Sequence, residues 1–101
     1  MARKKMQTLT ESMFYILLLL HKEKHGYQIM KEIEVMTVGR VKIGPGTMYS
    51  LLSRFEKENL IIKVSSEDGK KVYLVTELGK EIINVDFRRL KSMVKDAEGI
   101  L

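Results

Sequence analysis

Apolar residues recur along this chain with two periods, one suited to helices and one to strands. Met13 to Leu20 is an unbroken apolar run. Thr8 with Glu11 three positions on has capping-box spacing just ahead of that run, which predicts a first helix over about residues 9–23. A helix apolar on every face is buried on every face, so this one is either the central strut of the domain or also meets a second chain. His25-Gly26 interrupts the pattern, and a second helix is expected from Tyr27, with Ile29, Met30, Ile33 and Met36 at helical spacing. Arg40 to Ile43 reads as a short strand. Pro45, favoured in a helical first turn, introduces a third helix over about residues 46–58, with Met48, Leu51, Leu52 and Phe55 as its inner stripe.

Beyond that helix the period changes to that of strands. Leu60 to Val64 and Val72 to Val75 are β-rich, and the Asp68-Gly69 pair between them is a hairpin signal. Thr76 then caps a last helix. Within it Ile83, Phe87, Leu90, Val94, Ala97 and Leu101 step alternately by four and three, a heptad seam. Leu78, Ile82, Val85 and Met93 form a second stripe on a neighbouring face. One stripe can pack on the domain, and the other would be left exposed on a monomer, so the helix reads as one half of a dimer interface.

The predicted order is helix, helix, short strand, helix, strand, turn, strand, helix. That is a mainly α fold with a small β-hairpin, a winged helix-turn-helix (residues 1–75) followed by a C-terminal dimerisation helix (residues 76–101), the two forming one compact unit. A chain of 101 residues has room for one such domain.

Charge sharpens this picture. The net charge is +5, and all of the excess lies in residues 1–75, since Lys/Arg and Asp/Glu balance in residues 76–101. Residues 1–7, with Arg3, Lys4 and Lys5, read as a basic arm. Excess positive charge favours polyanions, nucleic acid foremost. The third helix offers Thr47, Tyr49, Ser50, Ser53, Arg54 and Lys57 outside its apolar stripe. Arg54 suits bidentate pairing with guanine or a phosphate, and the hydroxyls near the helix start suit phosphate. Lys70 and Lys71 place charge on the wing, beside the opposing Glu67 and Asp68. These positions make double-stranded DNA the expected partner.

Other function classes fare worse. His21 and His25 are four apart, a spacing that can bind metal, but a third ligand is missing and Gly26 points to a helix end. No Ser/His/Asp set or glycine-rich phosphate loop stands out, so no enzyme, cofactor or metal is expected. The absence of cysteine fits a reducing cytoplasm. The apolar run is too short to span a membrane, which needs roughly 18 residues, and no small-residue cleavage site follows it. A winged-helix protein-interaction module without specific DNA binding is the alternative, and a small-molecule effector between the two last helices, lined by Phe87, Met93 and Met13, is a further expectation.

Four motifs carry a family resemblance. His25-Gly26-Tyr27-Gln28-Ile29, Gly44-Pro45-Gly46-Thr47-Met48-Tyr49, Leu52-Ser53-Arg54-Phe55-Glu56 and Tyr73-Leu74-Val75-Thr76-Glu77-Leu78-Gly79 resemble the PadR family of bacterial transcriptional regulators, in that family's order. The resemblance is to its short branch, with a single C-terminal helix. It implies a homodimer that represses from a palindromic operator, with Thr47, Tyr49, Ser50 and Arg54 at the DNA. The chain departs from the family at Ser50, where proline is frequent, and in carrying lysines rather than arginines on the wing. It also has no tryptophan, and Leu90 falls near the position where some short members stack planar drugs.

Overall fold

A computed structural model describes residues 8–101, so the basic arm expected over residues 1–7 lies outside the described residues. The elements in chain order are α1 (Glu11–Leu19), β1 (Lys24–His25), α2 (Gly26–Met36), α3 (Pro45–Lys57), β2 (Ile61–Glu67), β3 (Lys70–Val75) and α4 (Glu77–Glu98). The fold is mainly α with a small antiparallel sheet, as the pattern predicts.

The first helix opens at Thr10, two residues later than expected. Thr10 Oγ1 accepts a hydrogen bond from the Met13 backbone N–H at 3.2 Å. Leu9 is buried just ahead of this cap and sets where the chain enters the helix. The helix also stops early, at Leu19, because the Leu20 carbonyl accepts from Val75 N–H at 2.8 Å and turns the chain toward the sheet. Ile16, Leu17 and Leu20 are wholly buried, making α1 the central strut, but Leu18 is exposed.

The short strand lies elsewhere than expected. It is Lys24–His25, which pairs antiparallel with β3 through Lys24 opposite Tyr73 and His25 opposite Val72. The sheet order is β1-β3-β2, so both edges of β3 are taken and residues 40–43 have no place on that strand. Val41 and Ile43 still bury alternate side chains in the core, which is the period-two signal. Thr37 secures their entry, its buried hydroxyl donating to Ile33 O and accepting from Val41 N–H at 3.0 Å.

The core gathers Ile29 and Ile33 of α2, Met48, Leu52 and Phe55 of α3, and Ile61, Tyr73 and Val75 of the sheet around α1. Met36, expected on the inner stripe of α2, is half-exposed. On α4 the two apolar stripes divide along the helix rather than around it. Leu78, Ile82 and Ile83 pack on the core, whereas Val85, Phe87, Met93 and Val94 are exposed. Ile83, expected in the dimer seam, is thus buried in the chain's own core. Asp86 marks the changeover. It is buried, with Oδ1 accepting from Arg89 Nε at 3.0 Å and Oδ2 without a hydrogen bond.

One junction ties the exit of α3, both ends of the hairpin and the start of α4. Asn59, at φ 63°, ends the α3 turn, and Leu60 N–H donates to Phe55 O at 2.9 Å. Leu60 O then accepts from Thr76 N–H at 2.9 Å. The Thr76 hydroxyl donates to Asn59 O at 2.7 Å and accepts from Gly79 N–H at 3.0 Å, capping α4. Gly79 leaves no room for a side chain. A Cβ there would collide with the Leu60 carbonyl oxygen and lie 2.6 Å from Val75 Cγ2.

Backbone cannot yield as a flexible side chain can. Gly79→Ala is expected to lower unfolding free energy by roughly 1–3 kcal/mol or more, whereas Gly46→Ala, with nothing within 4 Å of its Cβ, leaves stability unchanged or slightly raised. Urea unfolding of the two variants checks this, and equal stability would refute the close approach at Gly79.

Candidate nucleic-acid interface

The apolar period of α3 determines what its other face presents. With Met48, Leu52 and Phe55 turned inward, Thr47, Ser50, Arg54 and Lys57 fall at steps of three and four along one exposed stripe, with Ser53 beside it. The start of the helix is also open. Gly44 is the N-cap, no side chain caps the turn, and Pro45 occupies the first helical position. Arg54 is not idle in the isolated chain, since its Nε donates to Glu58 Oε2 at 3.3 Å. Both side chains of that pair are partly exposed, so such a pair holds Arg54 weakly.

The hairpin is closed by Asp68 and Gly69, at φ 49° and 78°. Two consecutive positive φ values make the two-residue turn whose twist suits a hairpin. Lys70 and Lys71 follow at once, facing Glu67 and Ser66 across the ladder, and both lysines are exposed. A register shift between Lys63 and Ser65 bends the outer strand, leaving Ile62 and Val64 exposed on the wing.

These two groups of residues meet in a cleft of about 350 Å³, where Tyr49 and Ser53 of α3 face Lys70 and Lys71 of the wing, with His25 and Gly26 at one side. A neighbouring cleft of about 400 Å³ holds Ser50, Ser53, Arg54 and Lys57 with Glu58. Ser53 is common to both. Thr47 lines neither and stands alone near the start of α3.

Tyr49 behaves differently from the other hydroxyl residues. Its ring sits against Gly26, so closely that a Cβ on Gly26 would lie 2.8 Å from Tyr49 Cε1 and 3.0 Å from the hydroxyl oxygen. The ring therefore braces α3 against the start of α2, which explains the glycine before Tyr27. Tyr73 lines the same cleft from below. Burial first, then the negative charge of Glu56 and the Tyr49 phenol, push its pKa above the ordinary tyrosine value, so it stays neutral at neutral pH.

The histidines are engaged locally. His21 Nδ1 donates to the carbonyl oxygens of Leu18 at 3.0 Å and Leu17 at 3.1 Å. His25 caps α2, its Nδ1 accepting from Gln28 N–H at 3.3 Å while Gln28 Oε1 accepts from His25 N–H at 2.9 Å. Among the described residues no group of three or more His, Asp or Glu is placed to hold a metal ion. Among the same residues no helix is long and apolar enough to cross a membrane.

Tyr27, at the start of α2, is half-exposed, with Lys31 Nζ 5.5 Å and Lys70 Nζ 5.6 Å from its ring centroid, a contact the apolar pattern does not predict. The only signal was its spacing: Ile29 and Ile33 are four apart, and Tyr27 is two before Ile29, off that stripe.

Elsewhere, α1 and α4 leave an open, largely apolar groove of about 1030 Å³ whose lining includes Phe14, Leu18, Phe87, Leu90 and Val94. Met13, expected near an effector pocket here, is buried in the core instead, and Met93 is exposed outside the groove lining. Ala97 is half-buried and Leu101 fully exposed at the end of the chain.

The model of the transcriptional regulator PadR-like family matches residues 16–84. The chain is 36% identical over 59 residues to the Escherichia coli (strain K12) transcriptional regulator YqjI, covering 58% of this chain and 28% of that protein. An uncharacterised protein of Lysinibacillus sphaericus is 34% identical over 71 residues, covering 66% of this chain and 65% of its own length. The chain thus spans less than a third of the first of these relatives and just under two thirds of the second. Among solved structures, a PadR family transcription regulator from Clostridium difficile R20291 superposes with a TM-score of 0.75 at 26% identity, covering 89% of this chain and 97% of that one. A transcriptional regulator from Clostridium thermocellum gives 0.77 at 25% identity, covering 89% of each chain.

The contact between Tyr49 and Gly26 can be tested by a double-mutant cycle. Gly26→Ala is expected to cost roughly 1–3 kcal/mol in the wild-type background and clearly less in a Tyr49→Ala background, where the clash is gone. Equal costs in the two backgrounds would show that the ring does not press on Gly26.

Proposed function

Because the chain belongs to the PadR-like family of transcriptional regulators, we propose that it binds a specific palindromic operator as a homodimer and represses transcription there. The observation that carries this reading is the pair of clefts, joined at Ser53, that bring Ser50, Arg54 and Lys57 of α3 beside the wing lysines. In this reading residues 1–75 read the DNA and residues 76–101 join two chains, in the cytoplasm where the operator is.

α3 enters the major groove. Arg54 exchanges its exposed partner Glu58 for the paired acceptors of guanine or for a phosphate, an exchange that costs little because the surface ion pair is weak. Thr47, Ser50, Ser53 and Lys57 fix the helix on the sugar-phosphate backbone, helped by the uncapped N–H groups at the start of α3. Lys70 and Lys71 hold flanking phosphates. Tyr49 acts chiefly through α3, by bracing it on Gly26.

The exposed half of α4 is the proposed dimer surface. Phe87, Leu90, Val94, Ala97 and Leu101 present apolar area that a second copy would cover, and Phe14 and Leu18 extend it across the groove. Two-fold symmetry then presents two recognition helices to successive major grooves, about 34 Å apart, which is why the operator would be palindromic. A small apolar effector entering the groove between α1 and α4 would compete with the second copy for it.

Fluorescence anisotropy with the duplex upstream of this protein's own gene, against a scrambled duplex over a salt series, tests the reading. Tight, salt-dependent preference for the native duplex is expected. Equal weak binding to both would reduce the interaction to charge attraction. Arg54→Ala is expected to weaken operator binding by about 1–3 kcal/mol with folding intact, and unchanged affinity would remove Arg54 from the interface. Leu90→Asp is expected to abolish the dimer, because it places a charge in the apolar seam. A sedimentation profile that still shows a stable dimer would move the interface elsewhere.

A further inference from the structure

Lys70 has a carboxylate directly across the ladder, Glu67, with Asp68 next along the turn. A hairpin tip that served solubility alone would pair those charges. Among the described residues neither acid forms an ion pair with Lys70. Its ammonium lies instead 5.6 Å from the centre of the Tyr27 ring, on a different element. Lys31, one turn further along α2, brings a second ammonium to 5.5 Å from the same ring. The two positive charges therefore lie within about 11 Å of each other, and neither has a carboxylate partner among the described residues.

Each ammonium meets the negative face of the ring, and together they hold a positive potential beside it that an anion would occupy. The phenol hydroxyl of half-exposed Tyr27 adds a donor. The site adjoins the cleft that Lys70 shares with Tyr49 and Ser53, so it continues the face presented by α3. We propose that Tyr27, Lys31 and Lys70 form a clamp for a DNA backbone phosphate, closed between the wing and the start of α2 and separate from the recognition helix. Tyr27 is its positioning residue, holding the two ammonium groups at one phosphate. The clamp rests on the operator-binding reading above. It carries no sequence information, so its contribution falls equally on every duplex.

The test uses the full chain with native and scrambled duplexes over a salt series, on Lys31→Gln, Tyr27→Phe and Tyr27→Leu, each checked for an unchanged unfolding midpoint. Lys31→Gln is expected to weaken binding to both duplexes by the same factor, roughly three- to tenfold at 0.1 M salt, and to reduce the salt slope by about one. Tyr27→Leu is expected to weaken both duplexes and to halve or more the further loss caused by Lys70→Gln, whereas Tyr27→Phe, which keeps the ring, preserves that coupling. Wild-type binding with unaltered affinity and slope in Lys31→Gln overturns the clamp alone. Absence of preference for the native duplex in the wild type overturns the operator reading and the clamp with it.

Discussion

The lack of a side chain at Gly79 allows α4 to start against the carbonyl of Leu60, and much of the architecture follows from that contact. Within a few ångströms the backbone leaves α3, opens the hairpin, closes it and enters the last helix. There Thr76 donates its N–H to Leu60 O and its hydroxyl to Asn59 O, while that hydroxyl accepts from Gly79 N–H. Val75, one residue before the cap, donates its N–H to Leu20 O at the end of α1. α3, the hairpin and α4 are thereby fixed to one point on the central strut. A shift of α4 must be felt at α3, because no loop long enough to absorb it lies between them.

That rigidity gives meaning to how polar and apolar surface is divided. The α3 stripe and the wing lysines share one side of the molecule, joined through the cleft at Ser53. The uncovered apolar surface of α1 and α4 forms the groove around Phe87 and Leu90. In the proposed reading one surface meets a polyanion and the other a second apolar surface. The balanced charge of residues 76–101 suits the second role as the excess positive charge of residues 1–75 suits the first. Gly26 and Tyr49 join α2 to α3 by shape, and Arg54 pairs with Glu58 at the surface.

The parts legible in the sequence are those with local causes. Asp68-Gly69 closes the hairpin because two adjacent positions need positive φ. Thr76 caps α4 through a neighbour three residues away, and Pro45 opens α3 because its missing N–H costs nothing there. The inner stripe Met48, Leu52 and Phe55 is a helical period read directly, and it determines which residues the outer face presents. The exposure of Thr47, Ser50, Ser53, Arg54, Lys57, Lys70 and Lys71 follows from these local facts.

The remaining features depended on competition between distant segments. Thr8 and Thr10 both offer a cap, and the burial of Leu9 decided for Thr10. Arg40 to Ile43 has the pattern of a short strand, but the single free edge of β3 went to Lys24–His25, while Val41 and Ile43 kept their burial without pairing. Ile83 and Phe87 are equivalent in a heptad, yet one lies in the core and the other on the surface, because the domain ends beneath that turn of α4. Tyr27 has Lys31 one turn along its own helix, but it gained Lys70 only when the wing folded back to α2. The sequence by itself determined the elements, their caps and the polarity of each face, because these depend on residues within a turn or two of one another. Which strand took the free edge, where the core stopped and which charges converged were decided by tertiary structure, because each depends on which of several locally equal segments reaches a shared place in space.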